Sequence, residues 1–457
     1  MTDAGFKTAV DVGQTGSLRR IGNPPATRHM PARTGRLTTG RRMPSCPRCV
    51  AIAILLCVPA GAQPSSDLPP HVLLLARIRH RASVDFAHIP NFTCRETIQR
   101  FRGRAGKPLK QLDTVEVEVA NIGGRELFAW PGETHFEERS IIDMVGSGMV
   151  SDGEYIADAR NVLVGGVAQI TYHGVERIEG RDAARYDFRF TPALSPYTLV
   201  IGDAKAVIGE QGSFWADPVT YTLLRLSFAG TEIPDWLGVR ATNVEIHYGR
   251  TRIGDVAALL PVKAVSGLTE ARGDAVSNEI GFTACRQYTA ESVILSEAPP
   301  DVASAPPLAA APSPGAVVLP LGYDIDIRLT SGIDLNSAKV GDPIDAELES
   351  DLKTKREVFA PKGARVHGRI RLLRKYGDGY AIGLELDEVS VGQNRVRIAA
   401  TLVDVDARYT MRSRTSRAAV TEILPEIEGV STFVTPQGVD TLPRGMRMQW
   451  KIIGAGE

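Results

Sequence analysis

Three groups of side chains in this 457-residue sequence have types and spacings that could support chemistry. His135 precedes Glu137 and Glu138, and His173 precedes Glu176. On a strand, His135 and Glu137 would share a face, as two ligands of one metal must. Such H-x-E pairs arise readily by chance, and no further histidine cluster accompanies either one, so no metal site is expected. Asp85 and His88 could be two members of a hydrolase triad, but no serine lies in a G-x-S-x-G frame. Gly146-Ser147-Gly148 lacks that strand–turn–helix setting and reads as a loop. Phosphate cradles are missing from the sequence, which has no G-x-x-x-x-G-K and no G-x-G-x-x-G opening a helix. Arg408, Arg412, Arg414 and Arg417 form a basic run with only Tyr409 among them. That run reads as a solvated strand edge or loop, with an anionic polymer or lipid headgroup as the alternative. No catalytic residue, metal or cofactor is therefore expected.

Apolar surface is the remaining resource. Trp130, Phe214, Trp215 and Trp236 lie in or beside stretches with strand patterning. Phe214 and Trp215 belong to GSFWADPVTYTLLRLSF, which runs from Gly212 to Phe228. Adjacent residues on a strand point to opposite sides of the sheet, so only one of this pair can face a cavity. Trp130, Phe214 or Trp215, Leu226 and Phe228 are the candidate lining of an apolar cavity. Ordinary core packing is the alternative.

These residues need elements to hold them. Asp67-Leu-Pro69-Pro70 followed by HVLLLARIRHRA predicts a helix, with Asp67 as N-cap and Val72, Leu75 and Ile78 at helical spacing. Alternation takes over after it. Val115, Val117 and Val119 interleave with Glu116 and Glu118; Tyr186, Phe188 and Phe190 with Arg185, Asp187 and Arg189; Val244, Ile246 and Tyr248 with Glu245 and His247. Each reads as an antiparallel strand with one face buried. Residues 67–294 form this first domain. Ser296 to Ala316 holds six prolines among mostly Ala and Ser, a semi-rigid extended linker that should keep two domains apart. In 317–457 a phrase recurs: LPLGYDIDIRL from Leu319, APKGARVHGRI from Ala360 and LPRGMRMQWKI from Leu442. Each sets Pro-x-Gly before an alternating run, a tight turn launching a strand. The fold class is mainly β: an N-terminal helix with a curved antiparallel half-barrel sheet, a Pro-rich linker, then a small all-β barrel or sandwich.

The start of the chain looks like an export leader. Arg41, Arg42 and Arg48 precede an apolar run from Cys49 to Val58, and Ala60-Gly61-Ala62 supplies a small-residue cleavage site before Gln63. The run is too short to span a bilayer. Residues 43–62 are read as the signal peptide, and 1–42 as a mis-assigned start or an extension. The whole chain is neutral, but loss of 1–62 removes nine Lys/Arg and two Asp/Glu, leaving a net charge of −7. An acidic exported protein is poorly suited to nucleic acid. The part after the leader keeps two cysteines, Cys94 and Cys285. In an oxidising compartment an even pair is most simply one disulfide, with two buried thiols as the alternative. Closing a loop of that length is worth at most about 5 kcal/mol in the chain-entropy model.

A helix, a long antiparallel meander and the phrase Gly212-x-Phe214-Trp215-x-Asp217-x-x-Thr220-x-x-x-x-Arg225 resemble the periplasmic lipoprotein-carrier fold. That is the half-barrel of LolA and LolB and of the large domain of RseB/MucB-type regulators. Leu260-Pro-Val-Lys263 is similar to the place where the next strand of that fold begins. The resemblance covers about 67–294 and implies a concave face that binds acyl chains or a partner's peptide without catalysis. Residues 317–457, in their P-x-G phrases and the GDPIDAEL stretch from Gly341, are similar to β domains of the TrbI/VirB10 type. The expected protein is thus non-enzymatic, exported to the periplasm or cell envelope, and binds an apolar or lipidated ligand. A scaffold or secretion-machinery accessory assembling through the C-terminal domain is the alternative, and a hydrolase the third reading. A lipid, a lipidated protein or an envelope protein is the expected partner.

Overall fold

The computed structural model describes residues 7–11, 68–133, 136, 141–145, 148–151, 153–202, 204–288, 321–353, 358–376, 378–392, 394–411, 421–423 and 430–455. The leader with Ala62 and Gln63, the linker at 296–316, and His135, Glu137, Glu138, Ser147, Arg412, Arg414 and Arg417 lie outside the described residues.

The first half of the chain forms β1 (Lys7–Asp11), α1 (Pro70–Ala87), β2 (Phe92–Arg104), β3 (Lys110–Ile122), β4 (Arg125–Ala129), α2 (Ile141–Val145), β5 (Gly148–Ser151) and α3 (Tyr155–Leu163). It continues with β6 (Gln169–Ile178), β7 (Arg181–Phe190), β8 (Thr198–Ile201), β9 (Ala204–Val207), β10 (Gly209–Ala216), β11 (Leu223–Thr231), β12 (Val239–Ile253), β13 (Val256–Glu270) and β14 (Asp274–Gln287). The α1 helix opens on Pro70, a position whose missing N–H costs a helix nothing. Its cap is Pro69, without a side-chain bond, rather than Asp67. Its buried face is Ile78, Ala82, Asp85 and Phe86, while Val72 is largely exposed. Leu74 and Leu75 pack partly buried against the core, so only the first turn of the helix stands clear of it.

Ten strands make one antiparallel sheet in the order β4-β3-β2-β14-β13-β12-β11-β10-β7-β6. The first strand after α1 and the last strand of the domain are neighbours, and Cys94 and Cys285 join them by a disulfide across 191 positions. The α1 and α3 helices pack on each other and on β13, covering the concave side of the curved sheet. A second layer of short strands, in the order β5-β1-β8-β9, completes the cover. Asn278 on β14 ties that layer down by donating from Nδ2 to the Met149 carbonyl at 2.9 Å.

The second half of the chain holds β15 (Asp324–Leu329), β16 (Ile333–Asp334), β17 (Pro343–Leu348), β18 (Leu352–Lys353), β19 (Val358–Ala360) and β20 (Arg365–Tyr376). After these come β21 (Gly379–Val391), β22 (Asn394–Val405), β23 (Thr421–Ile423), β24 (Ser431–Val434), β25 (Thr441–Leu442) and β26 (Arg447–Ala455). Strands β20-β17-β15-β26-β22-β21 run in order and β20 also pairs with β21, so six strands close a small barrel. The β24 and β23 strands extend it from β21. Each Pro-x-Gly phrase is a turn, with Gly322, Gly363 and Gly445 at φ of 79°, 80° and 85°. Trp450 sits wholly buried in the barrel core.

The two domains pack together, which corrects the expectation that the linker holds them apart. Beyond the end of β4 the β3 strand has a free edge, and Val340 pairs with it. The Val340 N–H donates to Thr114 O at 2.8 Å, and the Glu116 N–H to Val340 O at 2.8 Å. Lys339 pairs with Glu116, Arg369 with Glu133 at 2.6 Å, and Arg371 donates to the Met144 carbonyl at 2.7 Å. This docking explains why Glu116 is buried although the alternation marked it as solvent-facing, whereas buried Glu118 pairs with Arg286 and Arg95 of its own sheet.

Candidate functional site

The Gly212–Phe228 stretch is a hairpin of the concave wall, its strands β10 and β11 third and fourth from the β6 edge of the sheet. Phe214 on β10 stands opposite Tyr186 on β7 and Leu226 on β11, all pointing inward and fully buried. Its ring stacks on Tyr186 with centroids 5.2 Å apart. Tyr186 in turn tilts against Tyr172 at 5.1 Å, and Tyr172 stacks on His71 of α1 at 5.3 Å. The Tyr186 hydroxyl donates to the His71 carbonyl at 2.7 Å, fixing the start of α1 over this wall. Phe228 meets Tyr197 edge-on at 5.6 Å.

Trp215 takes the other side of the sheet. It packs with Ala183 and Leu224, and its cross-strand neighbours Arg185 and Arg225 lie over its ring at 5.6 and 3.9 Å. Its indole N–H donates to Glu176 at 2.9 Å. That bond, with another from Arg185, holds the Glu176 carboxyl below its usual range. Trp130 also lies off the concave wall. It fills the domain joint, where Arg369 and Arg371 approach its ring at 5.7 and 5.0 Å. Of the five candidate lining residues, Phe214, Leu226 and Phe228 share the inner face, and Trp130 and Trp215 do not.

The remaining letters of the phrase have local explanations. A Cβ on Gly212 would lie 2.1 Å from the Ser227 carbonyl oxygen, so only glycine lets β10 and β11 close under Phe228. Asp217 accepts from the N–H groups of Val219 and Thr220, both at 2.8 Å, and shapes the turn between the strands.

The residues considered for catalysis do not converge. The Asp85 carboxylate binds Arg250 at 2.8 Å and Arg81 at 3.0 Å, while His88 Nδ1 donates to the Val84 carbonyl at 2.7 Å and closes α1. His173 lies on the outer face, 3.2 Å from Asp187. Arg408 pairs with Asp406 at 2.7 Å and lies against Tyr409. Among the described residues no group of three or more His, Cys, Asp or Glu side chains could hold a metal.

Sequence reasoning missed a set of carboxyls within the concave domain. Glu96, Asp158 and Glu210 are buried on β2, α3 and β10, and Glu126 turns a buried Oε2 inward from β4. Neither Glu96 Oε2 nor Glu126 Oε2 has a hydrogen-bond partner. Burial pushes Glu96 and Glu210 up to about 8. Burial, then the neighbouring carboxylates, raises Glu126 and Asp158 well above the usual range. Burial thus favours the protonated form of all four carboxyls, which can donate as well as accept a hydrogen bond in this interior. A signal for one was present, since Glu96 falls in phase with buried Cys94 and Ile98 on β2.

No protein-family model matches the chain, and no curated protein matches it. Several solved structures are similar. A DUF1329 family protein from Desulfovibrio piger is 14% identical over 50% of this chain and 96% of its own, with a TM-score of 0.28. A LolA superfamily protein from Nitrosomonas europaea is 9% identical over 49% of this chain and 97% of its own, with a TM-score of 0.25. The MucA/MucB complex structure from Pseudomonas aeruginosa aligns over 81% of this chain and 98% of its own at 13% identity, with a TM-score of 0.15. At such identities and scores they assign no ligand, partner or residue here. Among the described residues no helix is long and apolar enough to cross a membrane.

Proposed function

We infer that this chain is a non-enzymatic, exported protein of the cell envelope whose half-barrel binds an apolar or lipidated ligand. One observation carries the reading. The inner wall around Phe214, Leu226 and Phe228 is aromatic and aliphatic, and what covers it is a set of separate short elements rather than more of the ten-stranded sheet. In this closed form those elements and the inner side chains fill the concavity, so a ligand gains access when the cover shifts. A disulfide-stapled sheet supplies the wall, and α1, α3 and the short strands supply the cover. The test is native mass spectrometry and lipid extraction on the purified protein. Co-purifying lipid, or saturable binding of a fluorescent acyl probe, is the expected result, and the lack of both overturns the reading.

A second reading has its own observation. The C-terminal barrel docks on the β3 edge through Val340, Trp130 and Arg369, as a domain built for assembly would. A scaffold should lose its envelope partners in pull-downs when residues 317–457 are removed, whereas a carrier should keep its lipid.

A further inference from the structure

Three turns at one end of the ten-stranded sheet are tied into one rim. The β11–β12 turn holds a short 3₁₀ helix, Asp235–Leu237, and its Gly238 carbonyl accepts from the Ala271 N–H of the β13–β14 turn at 2.8 Å. The Arg272 carbonyl of that second turn accepts from Arg104 Nη1, and its Gly273 carbonyl from the Ala105 N–H of the β2–β3 turn, both at 3.0 Å. Leu237 is buried under the rim, while its neighbour Trp236 faces out at 64% exposure. The indole therefore stays in water although the adjacent side chain reaches the core. The other three tryptophans are at most 7% exposed.

Charge is uneven along the same rim. Glu232 and Asp274 are taken up by Arg189 at 3.2 Å and Arg104 at 3.5 Å. Lys107, Lys110, Arg240 and Arg272 are exposed and pair with no carboxylate among the described residues. Against these four cations stand two carboxylates without a cation, Asp235 and Glu270. A projecting indole among free cations complements an anionic bilayer. Tryptophan settles at the headgroup level, and Lys and Arg are drawn to acidic lipid. A second copy brought to the same rim by a two-fold axis would instead set these cations against their own kind. We propose that this rim is a docking surface for a bilayer containing anionic phospholipid, with Trp236 among the headgroups and Lys107, Lys110, Arg240 and Arg272 over the phosphates. The inference goes beyond the carrier reading and does not need it, since docking uses only the outside of the turns.

The experiment uses the full chain and two kinds of vesicle, phosphatidylcholine alone and phosphatidylcholine mixed with phosphatidylglycerol. Flotation should carry the chain up with the mixed vesicles and not with the neutral ones, and added salt should weaken the binding. Trp236→Ala should weaken it about fivefold or more. Lys107→Glu combined with Arg272→Glu should weaken it about tenfold or more. All three side chains are exposed, so the melting temperature should not move. Because the other tryptophans are buried, emission should shift to the blue when mixed vesicles are added to the unaltered chain, and should not shift in Trp236→Ala. An acyl probe in solution should bind the variants as it binds the unaltered chain, so failure of the carrier reading would show there and not in the flotation. No flotation, equal flotation with both vesicles, full binding by Trp236→Ala or an emission indifferent to vesicles each overturns the proposal. So does a dimer in solution that Trp236→Ala disperses, which would give the rim to a second copy.

Discussion

Trp130 and Gly341 meet across the domain joint with no room for a side chain between them. A Cβ on Gly341 would lie 2.8 Å from Trp130 Cε3 and 2.3 Å from the Glu116 carbonyl oxygen, and its φ of +104° is one that other residues rarely adopt. Gly341→Ala should therefore strain the backbone and push the barrel off the β3 edge. The expected destabilisation is about 2–4 kcal/mol, from two of the mechanisms that give large mutational effects. Thermal unfolding checks the loss, and small-angle scattering checks the separation of domains. Arg369→Gln removes two ion pairs, to Glu133 at 2.6 Å and to Asp387 at 2.8 Å, from a largely buried guanidinium, and should cost more than the roughly 1 kcal/mol of an exposed pair.

Phe214 and Trp215 are neighbours in sequence and opposites in role, and mutation should separate them. Phe214→Ala empties a fully buried site in the aromatic stack and should cost about 3–5 kcal/mol. The gentler Phe214→Leu keeps the fold and should weaken acyl-probe binding several-fold, while Trp215→Ala should leave binding unchanged. On the outer face, a double-mutant cycle between Trp215 and Arg225 should return a coupling of about 0.5–2 kcal/mol, the range for a cation over an indole ring. Equal effects of the two aromatics on probe binding would refute the assignment of faces.

Local chemistry was readable from the residues, and long-range packing was not. The three Pro-x-Gly phrases became turns because proline and glycine fix the backbone whatever surrounds them. The split of Phe214 from Trp215 follows from the pleat alone. Trp130 was misread as cavity lining because its true neighbours, Gly341, Arg369 and Arg371, lie in another domain. Glu116 failed for the same reason, since alternation reports a solvent face only until another domain covers it, while Glu118 is covered by Arg286 and Arg95 of its own sheet. Glu96 stood in phase with Cys94 and Ile98, but a single carboxylate in an apolar pattern does not reveal how many others share its interior.

The Cys94–Cys285 bond joins strands that are already hydrogen-bonded neighbours, so its main effect lies in the unfolded chain. Paired Cys94→Ser and Cys285→Ser substitutions should leave the native sheet in place and lower stability by up to about 5 kcal/mol. Denaturant unfolding with and without reductant checks this: the unsubstituted protein should fall to the double variant's midpoint once reduced.

The interior carboxyls make stability depend on pH in an unusual direction. Glu96 and Glu210 would ionise near 4.5 in the unfolded chain, but folded they keep their protons up to about 8. Between those values the folded state binds more protons than the unfolded state. The stabilisation is therefore complete below about pH 4.5 and is lost progressively as pH rises to about 8. Each group contributes a slope of about 1.4 kcal/mol per pH unit over that window. Most proteins gain stability from pH 4 toward neutrality as paired carboxylates ionise, so these two groups act against the usual trend. Glu96→Gln has nearly the same shape and no charge to lose, so its unfolding free energy should fall less steeply between pH 5 and pH 8. The variant should exceed the parent in stability at pH 8 and match it near pH 5. Urea unfolding at half-unit pH steps would show this, and parallel curves for the two proteins would mean that Glu96 is ionised in the folded state.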